Sequence, residues 1–106
     1  MTMTDSTIRV KRMLPHERRE FLIEEGLKFS RERGFRNLNA KRIAGYSCIA
    51  KSLIVYYFRT SREYAEQVLQ EAMRREMLDI LLDAPEFYRA KYSATLKTKL
   101  SQYLLN

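Results

Sequence analysis

At 106 residues and 12.7 kDa the chain has room for one small domain, and not for a catalytic domain joined to a separate ligand domain. Its 45% hydrophobic and 31% charged residues suit a folded core and exclude a disordered chain, while three glycines and two prolines supply too little turn chemistry for a many-stranded sheet. The net charge of +7 is lopsided: residues 1–62 hold 14 Lys and Arg against 6 Asp and Glu, and residues 63–106 hold 6 against 7, which suggests a basic half that meets a polyanion and a neutral half with another task.

Residues 1–13 show no helical periodicity and read as a flexible basic arm, with Arg9, Lys11 and Arg12 crowding its end, suited to a minor groove or to phosphates. Pro15 and Glu17 suit a first helical turn, where a missing N–H costs nothing and a carboxylate meets the positive end of the dipole. Leu22, Gly26 and Phe29 then fall at i, i+4 and i+7 beside Ile23 and Leu27, with Glu20, Glu24, Lys28, Arg31 and Glu32 opposite, an amphipathic helix that Gly34 ends. Asn39 caps a short second helix from Ala40, which buries Ile43 and Ala44 and is weakened by Gly45 and Ser47. A third helix follows over 50–57, burying Leu53 or Ile54 and Phe58. The run 53–58 also has strand propensity, but a lone strand would have no partner.

Thr60 and Glu63 are spaced as a capping box and open a fourth helix predicted over 60–83, with Tyr64, Val68, Leu69, Ala72, Met73, Met77, Ile80 and Leu81 as its apolar stripe. Pro85 restarts a fifth helix, along which Phe87, Tyr88, Tyr92, Leu96 and Leu100 recur at threes and fours. A two-helix tail has few places to bury such a stripe, so Met73, Met77, Ile80, Leu81, Tyr92, Leu96 and Leu100 are candidate contacts with a second copy of the chain. The predicted fold is all-α: a basic arm over 1–13, a helix-turn-helix domain over 14–59, and a helical hairpin over 60–106 for packing and dimerisation.

Two short helices joined by a tight turn, behind a longer first helix, form the helix-turn-helix plan. The second short helix fits a major groove, and the first braces it while its leading N–H groups meet a phosphate. Lys51 and Ser52 stand at the leading end of the inserted helix, where lysine donates to guanine and serine exchanges hydrogen bonds with several bases.

These features resemble the N-terminal DNA-binding domain of TetR-family transcriptional regulators over residues 18–68. The stretches that carry the resemblance are Arg33-Gly34-Phe35, then Ala40-Lys41-Arg42-Ile43-Ala44, then Lys51-Ser52-Leu53-Ile54-Val55-Tyr56-Tyr57-Phe58, then Thr60-Ser61-Arg62-Glu63. The resemblance implies a long linker helix after the third, base contacts from Lys41, Lys51 and Ser52, and phosphate contacts from Asn39, Tyr57, Thr60 and Ser61. Lys41 sits where the family reaches either bases or phosphate. Three positions depart from the family pattern. Cys48 stands where a turn glycine is usual, so the turn must tolerate a side chain at what is often a left-handed residue, Val55 replaces a phosphate-binding tyrosine, and Ser30 takes the place of a core phenylalanine, with Phe29 one position earlier. Only residues 61–106 stand where typical members carry an effector-binding domain, too little to enclose a drug-sized cavity of ~300 Å³, so no small-molecule effector is expected.

The expected function is a sequence-specific double-stranded DNA-binding transcriptional regulator, a dimeric repressor acting by occupancy of a palindromic operator. The alternatives are a protein-interaction module on the same scaffold, or an architectural DNA binder with little sequence preference. An enzyme is not expected, because no His/Cys/Asp cluster, phosphate loop or nucleophile elbow is present. Nor is a cofactor or metal, since Cys48 and His16 are the single residues of their kinds, and Cys48 alone makes no internal disulfide. No apolar run reaches the ~20 residues of a membrane span, and the N-terminus lacks a secretory h-region. A cytoplasmic, nucleoid-associated place follows as the expectation.

Overall fold

The computed structural model describes residues 12–85, and every regular element among them is helical. The first helix, α1, spans Pro15–Arg33; Pro15 opens it and the Glu17 carboxylate accepts the Leu14 N–H at 3.2 Å. It stops where Gly34 turns to φ +93°, a conformation costly for any other residue, and a single 3₁₀ turn, Phe35–Asn37, buries Phe35. Helix α2, Ala40–Ser47, starts at Asn39, whose Oδ1 accepts the Arg42 N–H at 2.8 Å. Helix α3, Lys51–Phe58, begins one residue later than its apolar pattern suggests, with Ala50 as its cap, and the run with strand propensity lies wholly within it. Helix α4, Ser61–Arg74, starts at Thr60, whose Oγ1 accepts the Glu63 N–H at 3.1 Å.

The core forms where α1 lies on α4. Leu22, Leu27 and Phe29 of α1 meet Tyr64, Val68, Leu69 and Ala72 of α4, all buried. The approach depends on Gly26: a Cβ there would stand 2.5 Å from Val68 Cγ2 and 2.7 Å from the Tyr64 hydroxyl. That hydroxyl donates to the Leu22 carbonyl at 2.5 Å, and burial drives the phenol well above its usual range. Ser30 is also buried, its hydroxyl donating to the Gly26 carbonyl at 2.7 Å, while Phe29 beside it supplies the aromatic bulk. Helix α3 joins this core through Ile54 and Phe58, the latter edge-on to Tyr64 with ring centroids 4.9 Å apart.

The fourth helix is shorter than its periodicity predicts. Instead of running to residue 83 it stops at Arg74, and Glu76 turns left-handed at φ +56°. The Glu76 N–H donates to the Met73 carbonyl at 3.1 Å and the Met77 N–H to the Ala72 carbonyl at 2.9 Å, a Schellman ending with glutamate where glycine is usual. The chain then reverses into α5, Leu78–Asp83, which lies back against α1 and the 3₁₀ turn. Arg31 pairs with Asp79 at 2.9 Å, Arg36 pairs with Asp83 at 3.3 Å, and Ile80 and Leu81 are buried.

This reversal corrects a second expectation. Met73, Ile80 and Leu81 are spent in the chain's own core, and Met77 packs half-buried against it, so these four present little surface to a second copy. Tyr92, Leu96 and Leu100, with the fifth helix expected after Pro85, lie outside the described residues, as do Arg9 and Lys11 of the arm; Arg12 is described and exposed. Among the described residues no helix is long and apolar enough to cross a membrane.

Candidate nucleic-acid interface

Helices α2 and α3 are joined by Cys48, Ile49 and Ala50. Cys48 adopts the left-handed conformation, φ 56° and ψ 46°, which costs a residue with a side chain roughly 1–2 kcal/mol. The turn is held by the Ile49 N–H, which donates to the Ala44 carbonyl at 3.0 Å, and by burial of the Ile49 side chain. Helix α2 is fastened to α1 through Tyr46, whose ring meets Phe29 edge-on at 5.2 Å and whose hydroxyl donates to the Glu32 carboxylate. Desolvation first, and then that hydrogen bond, raise the Tyr46 phenol to about 12.

With Ile54 and Phe58 turned inward, α3 presents Lys51, Ser52, Val55 and Tyr56 to solvent, and Arg59 just past its end is exposed too. Tyr56 is 79% exposed and Val55 46%. Tyr57 is half-buried, its hydroxyl accepting from Arg18 Nη1 at 3.2 Å and its carbonyl from Arg19 Nη1 at 3.0 Å. Arg19 also lies 4.6 Å above the Phe58 ring, so the start of α1 clasps the end of α3. The link to α4 is a γ-turn: the Thr60 N–H donates to the Phe58 carbonyl at 2.8 Å across Arg59, whose φ of +71° is rare and strained.

The other predicted phosphate-binding residues come together at two helix starts. Ser61 Oγ accepts the Ala40 N–H at 2.8 Å, which sets the first turn of α2, with Asn39 and Lys41, beside Thr60 and Ser61. Capping uses acceptors: Asn39 Oδ1, Thr60 Oγ1 and Ser61 Oγ each take a backbone N–H. What capping leaves are donors, two amide hydrogens on Asn39 and one hydroxyl hydrogen on each of Thr60 and Ser61, the groups an anion requires. Lys41 is exposed, and beside it Arg33, Asn37, Asn39, Arg42 and Tyr46 line an open groove of about 800 Å³. Arg42 is oriented there by hydrogen bonds to the Asn37 carbonyl at 3.3 Å and to Asn37 Oδ1 at 3.1 Å.

Sequence reading missed Arg18, Arg19 and Arg42. One signal would have drawn attention to Arg42: from residue 33 to residue 62 the chain has seven Lys and Arg and no Asp or Glu. Lys41, Lys51 and Arg59 form no salt bridge among the described residues, whereas Arg62 lies 3.7 Å from Glu66. Nor do three His, Cys, Asp or Glu side chains among the described residues gather as a metal site. No family model, curated protein or solved structure matches the chain.

Proposed function

We propose that the protein is a TetR-like, sequence-specific double-stranded DNA-binding transcriptional regulator in which α3 reads bases in the major groove. The observation that carries this reading is the solvent side of α3 and its end, with Lys51, Ser52, Val55, Tyr56 and Arg59 set within a 30-residue stretch free of carboxylates. An eight-residue helix is about 12 Å long, a segment a major groove accepts side-on. Lys51 and Ser52 donate to base edges, and the donors of Asn39, Thr60 and Ser61 take a phosphate on one flank. Tyr57 and the arginines that hold it serve the other flank, and Lys41 extends the basic surface from α2.

Repression by occupancy, with two copies on an inverted repeat, completes the reading. The second copy would be met by Leu82, exposed at 54%. The reading includes no small-molecule inducer.

In vitro selection from random duplex DNA at near-physiological salt tests the proposal. Enrichment of an inverted repeat supports a sequence-specific dimer. Binding without enrichment that disappears as salt rises would replace it with an architectural binder. Absence of binding at any salt would leave a protein-interaction module.

A further inference from the structure

Four large hydrophobic residues are exposed among the described ones, Leu14, Val55, Tyr56 and Leu82, and two of these are consecutive on α3. The core asks nothing of Val55: Ile54 and Phe58, one turn apart, already supply the buried side of the helix. Helix propensity does not ask for it either, since a β-branched side chain loses χ1 freedom in a helix. That same stiffness holds its two methyl groups in one preferred rotamer, a fixed apolar probe on an exposed helix.

Val55 also lies within a pattern. Val55 stands one helical turn after Lys51 on the exposed side of α3, and Arg59 follows just past the helix end, so an apolar group lies between two cations in a stretch, 33–62, that holds no carboxylate. A protein surface that buried Val55 would have to accommodate both cations as well. A duplex does so naturally, with phosphates at the rims of the groove and the thymine C5 methyl as the apolar group on a base edge. Resting on the reading of α3 as the base-reading helix, we propose that Val55 packs on the C5 methyl of a thymine in the bound site. The four residues from Lys51 to Val55 advance about 6 Å along the helix and one base pair advances about 3.4 Å, so that thymine lies about two base-pair steps from the base met by Lys51.

The test is a uracil scan of the selected duplex, replacing each thymine singly and so removing one methyl group with all base pairing intact. One substitution, about two steps from the position at which Lys51→Ala relaxes preference, should weaken binding roughly fourfold, the value of one buried methyl-sized group. Val55→Ala, an exposed change whose folding is checked by its thermal midpoint, should bind the thymine and uracil duplexes equally. A selected site that tolerates every uracil, or a thymine preference that survives Val55→Ala, would overturn this inference and leave DNA reading intact. Failure to select any sequence overturns both.

Discussion

Where α4 and α5 meet α1, arginines close onto carboxylates: Arg74 and Arg75 onto Glu71, Arg75 onto Glu24, Arg31 onto Asp79 and Arg36 onto Asp83. Across α2, α3 and the turn beyond, Lys41, Lys51 and Arg59 are exposed and have no such partner among the described residues. One end of the molecule consumes its charge internally, and the other leaves it outward. Composition alone does not distinguish these uses, because a paired arginine and an outward one count the same toward +7. Only the placement of the acids does.

Salt should separate the two ends most strongly. For about four phosphate contacts, DNA affinity falls on the order of a hundredfold between 50 and 200 mM salt, while the folding midpoint moves little, because exposed ion pairs contribute little. Titrations of binding and thermal melts at both salts check this, and an affinity indifferent to salt would remove the distinction. A change confined to the core should affect the other quantity. Gly26→Ala pushes a methyl into Val68 and Tyr64 and should cost about 1–3 kcal/mol in urea unfolding, after any gain in helix propensity.

At the outward end, Lys51→Ala should leave folding unchanged and lower discrimination at one operator position by about 1–3 kcal/mol. Equal losses on operator and random DNA would remove Lys51 from base reading. The smallest effect belongs to the inward end. The Arg74 hydrogen bond, aided by Arg75, holds the Glu71 carboxyl at about 2 against an ordinary 4.5. A depressed carboxyl contributes stability that is complete above its unfolded value and is lost as pH falls from about 4.5 toward about 2. Glu71→Gln should therefore flatten the acid limb of stability in that window, by no more than ~1 kcal/mol for so exposed a cluster. Parallel acid titrations of both proteins would expose an error here.

The features legible in the sequence were those written locally. Pro15 and Gly34 bracket α1, Asn39 and Thr60 cap the helices expected of them, and the spacing of Leu22, Gly26 and Phe29 matches the buried side of α1. Helix ends were harder, because Cys48, Arg59 and Glu76 all turn to positive φ without being glycine. At Glu76 the helical pattern continues uninterrupted in the sequence, and the stop is favoured by what α5 gains against α1, through contacts some 48 residues apart. The same non-locality kept Met73, Ile80 and Leu81 on a supposed outer stripe and hid Arg18 and Arg19, which reach Tyr57 across 39 and 38 residues. For the candidate site, residue types and spacing pointed to Lys51 and Ser52, while the conversion of Asn39, Thr60 and Ser61 into a set of donors required their capping bonds to be seen.

The early end of α4 has a mechanical meaning. Fourteen residues make a strut of about 21 Å, where an uninterrupted helix to residue 83 would have made a lever of about 36 Å. For the same angular play at its root the shorter strut sweeps an arc about two-fifths smaller. The molecule thereby exchanges reach for compactness: the chain past Arg74 is folded back onto α1, and the same angular play carries it less far.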